Sequence, residues 1–486
     1  MHLLLLTLIT IPLVPTLVSL FAPQRVGQVV TVVAAAAAFA LTLALVPYAA
    51  SHAVLTASFL RADAISVVFL LPTTFLYATA AIFSWGYLRT AGDPRSRRYV
   101  RRFYVGFNVF CWSMVVVPLV NDLALLWVAI EVTTVVSALL VALDDTDGAS
   151  EAAWKYVLLA SMGLGIALLA TVIMYYAGTR ALGPSYNLSF GRLLRGAPHF
   201  SPDAVRLADV LGVLGFGTKM GLFPVHTWLP DAHSEAPTPI SALLSGALLT
   251  TSFYAIVRFF QISERALGPT YPRDVLLVFG LASLTLAALY VLNQRDLKRL
   301  LAYSSVEHMG ILAIGMSFAA PLALVGVLLH VIAHGAAKGT AFFGAGSVVR
   351  KFSTQDLRQI RGGITLLPWS GTMLVLATLA LSGLPPFGIF RSEFLIVAGG
   401  LRDPSDAVAA TLVVLATVAF FGLSWFTTET MLSPAPNSGP PRGEVSVAIV
   451  VAMLFGIVAL AVIGVHVPGT LSHLLARGAH SLEVTP

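Results

Sequence analysis

Apolar side chains in this chain come in long runs, and about twenty in a row is what an α-helix needs to cross the hydrocarbon core of a bilayer. Bounded by proline, glycine or charge, about fourteen such runs stand out. They lie near 2–22, 26–48, 62–88, 103–120, 122–143, 153–177, 204–228, 238–261, 274–293, 300–318, 321–349, 364–400, 406–430 and 444–468. Of the 486 residues, 57% are hydrophobic and only 11% charged, too few charges to cover a water-facing surface. The fold class is therefore an all-α polytopic membrane protein. The opening MHLLLLTLITIPLVPTLVSLFAPQ has neither a basic n-region nor a small-x-small cleavage site, and reads as an uncleaved first span.

Fourteen crossings leave both termini on one side, and the basic residues indicate which. Odd-numbered loops hold the clusters Arg97, Arg98, Arg101 and Arg102; Arg295, Lys298 and Arg299; and Arg350, Lys351, Arg358 and Arg361. They outnumber the basic residues of the even loops and tail, and the basic-rich side is the cytoplasmic one. Both termini are thus predicted outside the cytoplasm, in the cell inner (plasma) membrane. The net charge of +6 gives no sign of a nucleic-acid partner. No nucleotide site is expected, since GFGTKMG lies inside an apolar run rather than after a strand. Cys111 is the only cysteine, which excludes an internal disulfide, a four-cysteine iron–sulfur cluster and a Cys-x-x-Cys pair. No cofactor is expected on this chain, and any redox metals must sit in partner chains.

Two spans are interrupted: the seventh, GFGTKMGLFPVHTWLP, and the twelfth, LSGLPPFGIFRSEFL. Proline removes a backbone donor and clashes with the preceding turn, so Pro224 and the Pro385–Pro386 pair should break their helices. Lipid cannot satisfy the freed groups, so such breaks belong in protein or beside water. Their spacing, five spans apart, suggests two inverted five-helix repeats, near 103–261 and 274–430. Residues 1–102 then supply three leading helices, and 431–486 the last helix and tail. Plain packing kinks would read the same way.

The informative residues are ionisable ones inside these runs, because a charge at the bilayer centre costs at least about 2.5–3.5 kcal/mol. Glu131 follows the unbroken run Leu123 to Ile130, and Lys219 sits in VLGFGTKMGLF. They read either as a structural ion pair or as a switchable one in which proximity controls the lysine proton. His330, His334 and Lys338 recur at i, i+4 and i+8, stacking on one helix stripe. Two such histidines can share a metal, but no carboxylate or thiol follows to complete a shell. Packing histidines and a proton wire remain, and the lysine on the stripe points to the wire. Glu393 offers that wire an acidic end, with Arg391 as partner or snorkelling neighbour. His226, Asp231, His233 and Glu235 read as a proton vestibule or a solvated polar loop; Glu307 and His308 fall near an expected helix start.

On these residues the chain resembles the proton-pumping, antiporter-like membrane subunits shared by respiratory complex I, membrane-bound hydrogenases and multisubunit cation/proton antiporters. The likeness spans about 100–400 and rests on the fifth-span glutamate, KMGLFPVHTWLPDAHSEAPTPISALLSG, LKRLLAYSSVEHMG and HVIAHGAAKGTAFFGAG. YSSVEHMG and PPFGIFRSEFLI are most similar to component F of the hydrogenase-4/formate-hydrogenlyase family. The resemblance implies fourteen core helices and two inverted half-channels, with Glu131 and Lys219 as the key pair of the first and Lys338 and Glu393 serving the second. It implies a proton-translocating subunit whose partners are other membrane subunits and a peripheral redox arm. A redox-independent antiporter subunit, a membrane cytochrome and a non-pumping anchor are the alternatives. One departure matters: where relatives carry an eighth-span base, this chain has Thr250, and water or the Thr250 and Thr251 hydroxyls would have to bridge.

Overall fold

The computed structural model describes residues 2–52, 54–57, 59–88, 94–401, 406–436 and 439–483. They are helical almost throughout: α1 (Leu3–Phe21), α2 (Gln24–Ser51), α3 (Ala64–Tyr87), α4 (Pro94–Val116), α5 (Leu123–Val141), α6 (Asp147–Leu182), α7 (Pro202–Met220) and α8 (Trp228–Glu235). There follow α9 (Thr238–Leu267), α10 (Thr270–Val291), α11 (Leu297–Phe318), α12 (Pro321–Phe352), α13 (Ser370–Leu381), α14 (Gly388–Gly400), α15 (Asp406–Thr427), α16 (Val447–Val465) and α17 (Gly469–His480). A short antiparallel hairpin, β1 (Leu55–Ala57) and β2 (Leu60–Ala62), joins α2 to α3.

Eleven of the described helices are long and apolar enough to cross a membrane. α7 (19 residues) and α11 (22 residues) match them in length but carry charges inside: Asp209 and Lys219 in one, Lys298, Arg299 and Glu307 in the other. The broken pair α13–α14 completes fourteen spans.

Local chemistry moves several boundaries from where hydropathy puts them. The span expected at 153–177 runs for 36 residues, because the Thr146 hydroxyl caps its start and Gly183, at φ +92, ends it. The tenth span begins at Leu297 rather than 300, since the Asp296 carboxylate accepts the Arg299 amide and caps the helix there. Glu307 and His308, expected near a helix start, therefore lie in mid-helix and are buried. The twelfth span starts at Ser370, after a separate turn at Gly363–Leu366.

The apolar face of this bundle looks outward and its polar side chains gather inside. α9 is buried at every position from Leu249 to Glu264, and α12 from Gly326 to Val348. Phe421 and Trp425 on α15 and Val447 and Val465 on α16 lie exposed at the rim. Lipid tails give apolar helices no reason to associate, so small residues that admit close backbone contact do the packing. α6 meets α7 at Gly163 against Thr218 and at Gly215 against Ala167; α12 meets α14 at Gly399 against Ala323 and at Gly326 against Ile396.

The two ends of the bundle are tied separately. At one end Asp231 pairs with Lys155 at 3.2 Å and with Arg299, and Gln24 donates to the Arg97 carbonyl at 3.0 Å. At the other, Arg258 is buried and donates to both Asp63 oxygens at 2.7 and 2.8 Å, to Tyr254 OH at 2.9 Å and to Gln261 at 2.9 Å. Gln261 passes the link on to the Ser481 carbonyl at 2.9 Å, Phe190 stacks over the guanidinium, and Asp63 also caps α3. This one cation joins the β2–α3 junction, α9 and the end of α17.

Removing one partner of a buried pair strands the other charge. Arg258→Ala should cost about 3–5 kcal/mol of stability, whereas Arg206→Ala, whose Asp203 pair is exposed, should change it by at most about 1 kcal/mol. Unfolding of both purified variants in detergent checks the contrast.

Candidate functional site

The first cluster forms where α7 stops. Gly221, at φ +87, closes the helix one residue after Met220, and Lys219 sits in the last turn, where the helix dipole favours a cation. Several freed backbone groups find protein partners: Trp228 Nε1 donates to the Thr218 carbonyl at 2.7 Å, the Leu222 amide returns to Gly217 at 2.8 Å, and the Phe223 amide donates to Ser283 Oγ at 2.9 Å. Lys219 is fully buried, and its ammonium donates to Thr134 Oγ1 on α5 and to Tyr156 OH on α6, the latter at 3.2 Å. Tyr156 in turn shares a hydrogen bond of 2.8 Å with Ser137.

Glu131 lies one turn before Thr134 on α5. One carboxylate oxygen accepts from Ser161 Oγ at 3.2 Å; the other is buried with no hydrogen-bond partner. Glu131 acts on Lys219 electrostatically, yet the two share no ion pair within 4 Å. Thr134 and Tyr156 hold the lysine instead. The pair read from sequence thus shares one pocket without touching.

The second cluster is built between α11, α12 and α14. Lys338, fully buried on α12, donates to Ser304 Oγ and to the Leu301 carbonyl at 3.0 Å, both on α11. Glu307, one turn past Ser304, is its electrostatic partner, with one oxygen buried and unpartnered. His308 follows on the same helix. Its Nδ1 lies 3.1 Å from His330 Nε2 and 3.9 Å from Glu393 Oε1, while His330 Nδ1 is 2.9 Å from Ser392 Oγ. His334 stacks beside both histidines, its two nitrogens unpartnered. The histidine stripe of α12 is therefore read sideways, onto α11 and α14, rather than along its own helix. The carboxylate that no chain neighbour supplies to it comes from α14. Glu393 is placed there by the break, and its carboxyl lies over Gly383, where a side chain would collide with it and where φ is +67. Arg391 does not pair with Glu393 but points to the carbonyls of Gly464 and Val465.

Between the clusters lies α8. Trp228 stacks on Tyr156 with ring centroids 4.5 Å apart, and His233 sits between Trp228 and Phe342, which is one turn past Lys338. His233 is fully buried; its Nδ1–H donates to the Leu229 carbonyl at 2.7 Å, which leaves Nε2 bare and without a partner. His226, nearly buried at the turn before α8, also has an unpartnered nitrogen. The Thr250 and Thr251 hydroxyls do not bridge the clusters: they bond back to Ala247 and Leu248 of their own helix. The eighth-span hydroxyl that reaches across is Ser245, in the π-turn at Leu244–Leu248, 2.8 Å from Ser305 on α11.

Sequence reading passed over Thr134, Tyr156, Ser304, Ser245 and Ser392 because neutral polar residues carry no charge penalty. The available signal was position: Thr134 and Ser304 each fall one turn from a glutamate inside a membrane-spanning helix. Glu307 and His308 were discounted for a misplaced helix start that Asp296 would have corrected.

A bundle of fourteen spans with two broken helices and a band of buried ionisable side chains defines a polytopic ion-path subunit. Residues 120–420 match the family described as NADH:quinone oxidoreductase/Mrp antiporter, TM, and the chain belongs to that family. A hydrogenase-4 component F homolog of Methylacidiphilum infernorum is 35% identical over 395 residues, covering 80% of this chain and 81% of that protein. Among solved structures, a chain of the membrane-bound sulfane sulfur reductase, an archaeal respiratory membrane complex, superposes with a TM-score of 0.87 at 20% identity, covering 99% of this chain and 98% of that one. A chain of the Mrp complex from a Dietzia species gives 0.87 at 19%, covering 99% and 97%.

If Thr134 and Ser304 hold the two ammonium groups, Thr134→Val and Ser304→Ala should each destabilise the protein by about 1–3 kcal/mol. Thr250→Val, whose hydroxyl serves only its own helix, should change stability by under about 0.5 kcal/mol. Equal effects in a detergent unfolding series would contradict this placement.

Proposed function

We propose that this chain is the proton-translocating membrane subunit of a hydrogenase-like or NADH–quinone-oxidoreductase-like complex, coupling electron transfer in partner subunits to proton transport. The observation that carries the reading is the band of ionisable groups running across the bundle: Lys219, His226, His233, Lys338, Glu307 and the three histidines His308, His330 and His334, all buried, with the partly buried Glu131 and Glu393 beside them. So many charges in oil are costly unless they serve a path.

In this reading the first half-channel is 103–261 and the second 274–430, each with a lysine held by a hydroxyl and a glutamate one turn away. When Glu131 approaches Lys219 the ammonium is stabilised; when it withdraws toward Ser161 the lysine is left with neutral partners and gives up its proton. His233, with Nε2 free between Trp228 and Phe342, and the Ser245–Ser305 pair are our candidates to link the halves in place of the missing eighth-span base. Partner membrane subunits and a peripheral redox arm supply the driving motion. The basic-rich loops face the cytoplasm, which places both termini outside the cytoplasm in a plasma membrane. The meeting of Lys155 and Arg299 at Asp231 supports a shared face for those loops.

Redox-driven and redox-independent assemblies fit the fold equally, at a TM-score of 0.87 each. The 35% identity to a hydrogenase-4 component F homolog, over most of both chains, favours the redox-driven one. Lys219→Ala in the complex reconstituted into vesicles should reduce redox-driven proton uptake at least about tenfold, a loss of roughly 1.4 kcal/mol or more, with electron transfer retained. Glu307→Gln should do the same from the second half. Undiminished pumping by Lys219→Ala refutes the reading; sodium-dependent pH changes without a redox partner would favour the antiporter alternative.

A further inference from the structure

We propose that His308, His330 and Glu393 form a binding site for a borderline transition-metal dication, Zn²⁺ above all, and that a bound ion stops proton traffic through the second half-channel. The site itself does not depend on the proposed function; only the blocking does.

Two imidazoles and a carboxylate are a common donor set for zinc, whereas Mg²⁺ and Ca²⁺ require more oxygens than this pocket holds. Three donor atoms, one from each residue, lie within 4.8 Å of one another, in the one such histidine-containing group among the described residues. Donors bound to one tetrahedral zinc at about 2.0–2.1 Å stand roughly 3.3–3.5 Å apart. The His308–His330 separation of 3.1 Å and the His308–Glu393 separation of 3.9 Å bracket that value. The third pair, His330 and Glu393, lies within 4.8 Å, so the rings need to part by a few tenths of an ångström and the carboxylate to close by between about half an ångström and about one and a half.

The surroundings already orient these donors. Ser392 spends its hydroxyl hydrogen on the Ile389 carbonyl at 2.7 Å, so its oxygen accepts Nδ1–H of His330 at 2.9 Å. That fixes the tautomer of His330 and leaves Nε2 bare, facing His308, in the manner of a metal-ligating histidine held from behind. Without metal, His308 Nδ1–H donates to that nitrogen. To ligate through Nδ1, His308 carries its hydrogen on Nε2 instead, a nitrogen now buried without a partner. Water can complete the shell; His334, with ring centroids 5.3 Å from His308, lies beside the three donors but outside their group.

Lys338 opposes the ion, and Glu393 binds it as the carboxylate, releasing its proton as the metal takes the site. A cleft lined by Ser382, Gly383, Leu384, Phe390, Glu393 and Phe394 reaches the carboxylate from the rim of the bundle. An ion there would tie α11, α12 and α14 together across the break.

The test uses the full-length chain in detergent, stripped of metal and dialysed against ZnCl₂. We expect one high-affinity Zn²⁺ per chain, with an X-ray absorption spectrum showing two imidazole nitrogens at about 2.0–2.1 Å. Glu393→Gln and His330→Ala should lose the high-affinity ion. Ser392→Ala should weaken it about 10–100-fold, and Ser392→Thr, which keeps the hydroxyl, should restore it. Equal binding by wild type and the His330→Ala/Glu393→Gln double variant overturns the site, as does a spectrum without imidazole. In vesicles, micromolar ZnCl₂ should inhibit redox-driven proton transport by the wild type. Binding without inhibition would take this cluster off the proton path and overturn the blocking. Absence of binding, with Lys219→Ala still defective, would remove the site and leave the path.

Discussion

Everything in this molecule answers to the cost of an unpaired polar group in hydrocarbon. The same cost that forces the chain into helices forbids it to leave a broken helix end, a lysine or a carboxylate facing lipid. The interior therefore combines an extensive buried apolar core with polar side chains gathered where protein rather than lipid surrounds them. The end of α7 shows how tightly this binds. Freed carbonyls and amides are taken up by Trp228, Leu222 and Ser283, and Lys219 places a cation near the helix's negative end.

Two kinds of buried charge follow from that constraint, and they behave differently. Arg258 is heavily tied: its guanidinium has carboxylate, phenol and amide partners at 2.7–2.9 Å, with only Nε left unpartnered, so it cannot move without losing several bonds. Lys219 and Lys338 are held by hydroxyls, and Glu131 and Glu307 stand one turn off with an oxygen unpartnered. A hydroxyl can donate or accept, so it tolerates either protonation state of a lysine, where a carboxylate in direct contact would lock the charge in place. An ion pair at bonding distance stabilises a fold; one held slightly open can change its state. The heavily bonded cation ties the end of the bundle together, and the hydroxyl-held ones occupy its middle.

This difference also explains what could be read from the sequence. The spans, the two breaks, Glu131, Lys219, Lys338 and Glu393 were legible because charge and proline inside an apolar run are expensive and so stand out. What escaped was the neutral half of the network. Nothing in a string of letters distinguishes Thr134, which holds a lysine on another helix, from Thr250, which bonds to its own backbone. Glu307 escaped for another reason: hydropathy placed the start of its helix at 300, and three residues of error turned a buried acid into a loop-end one. Asp296 as a cap was the stronger signal.

The breaks also set where each chemistry can occur. α6 packs along α7, the half before its break, while α12 packs along α14, the half after. In the first cluster the lysine therefore sits on a helix end that stops at mid-bundle, with its glutamate on an unbroken neighbour. In the second the arrangement is reversed: the lysine stands on an unbroken helix, and the carboxylate, Glu393, is carried by the half-helix after the break and cradled over Gly383. A displacement of α7 thus moves Lys219 relative to Glu131, whereas a displacement of α14 moves Glu393 relative to His308 and His330 and leaves Lys338 and Glu307 in place. Three histidines crowd the second cluster and none the first, so the two halves share a geometry of breaks while differing in the groups that answer to it.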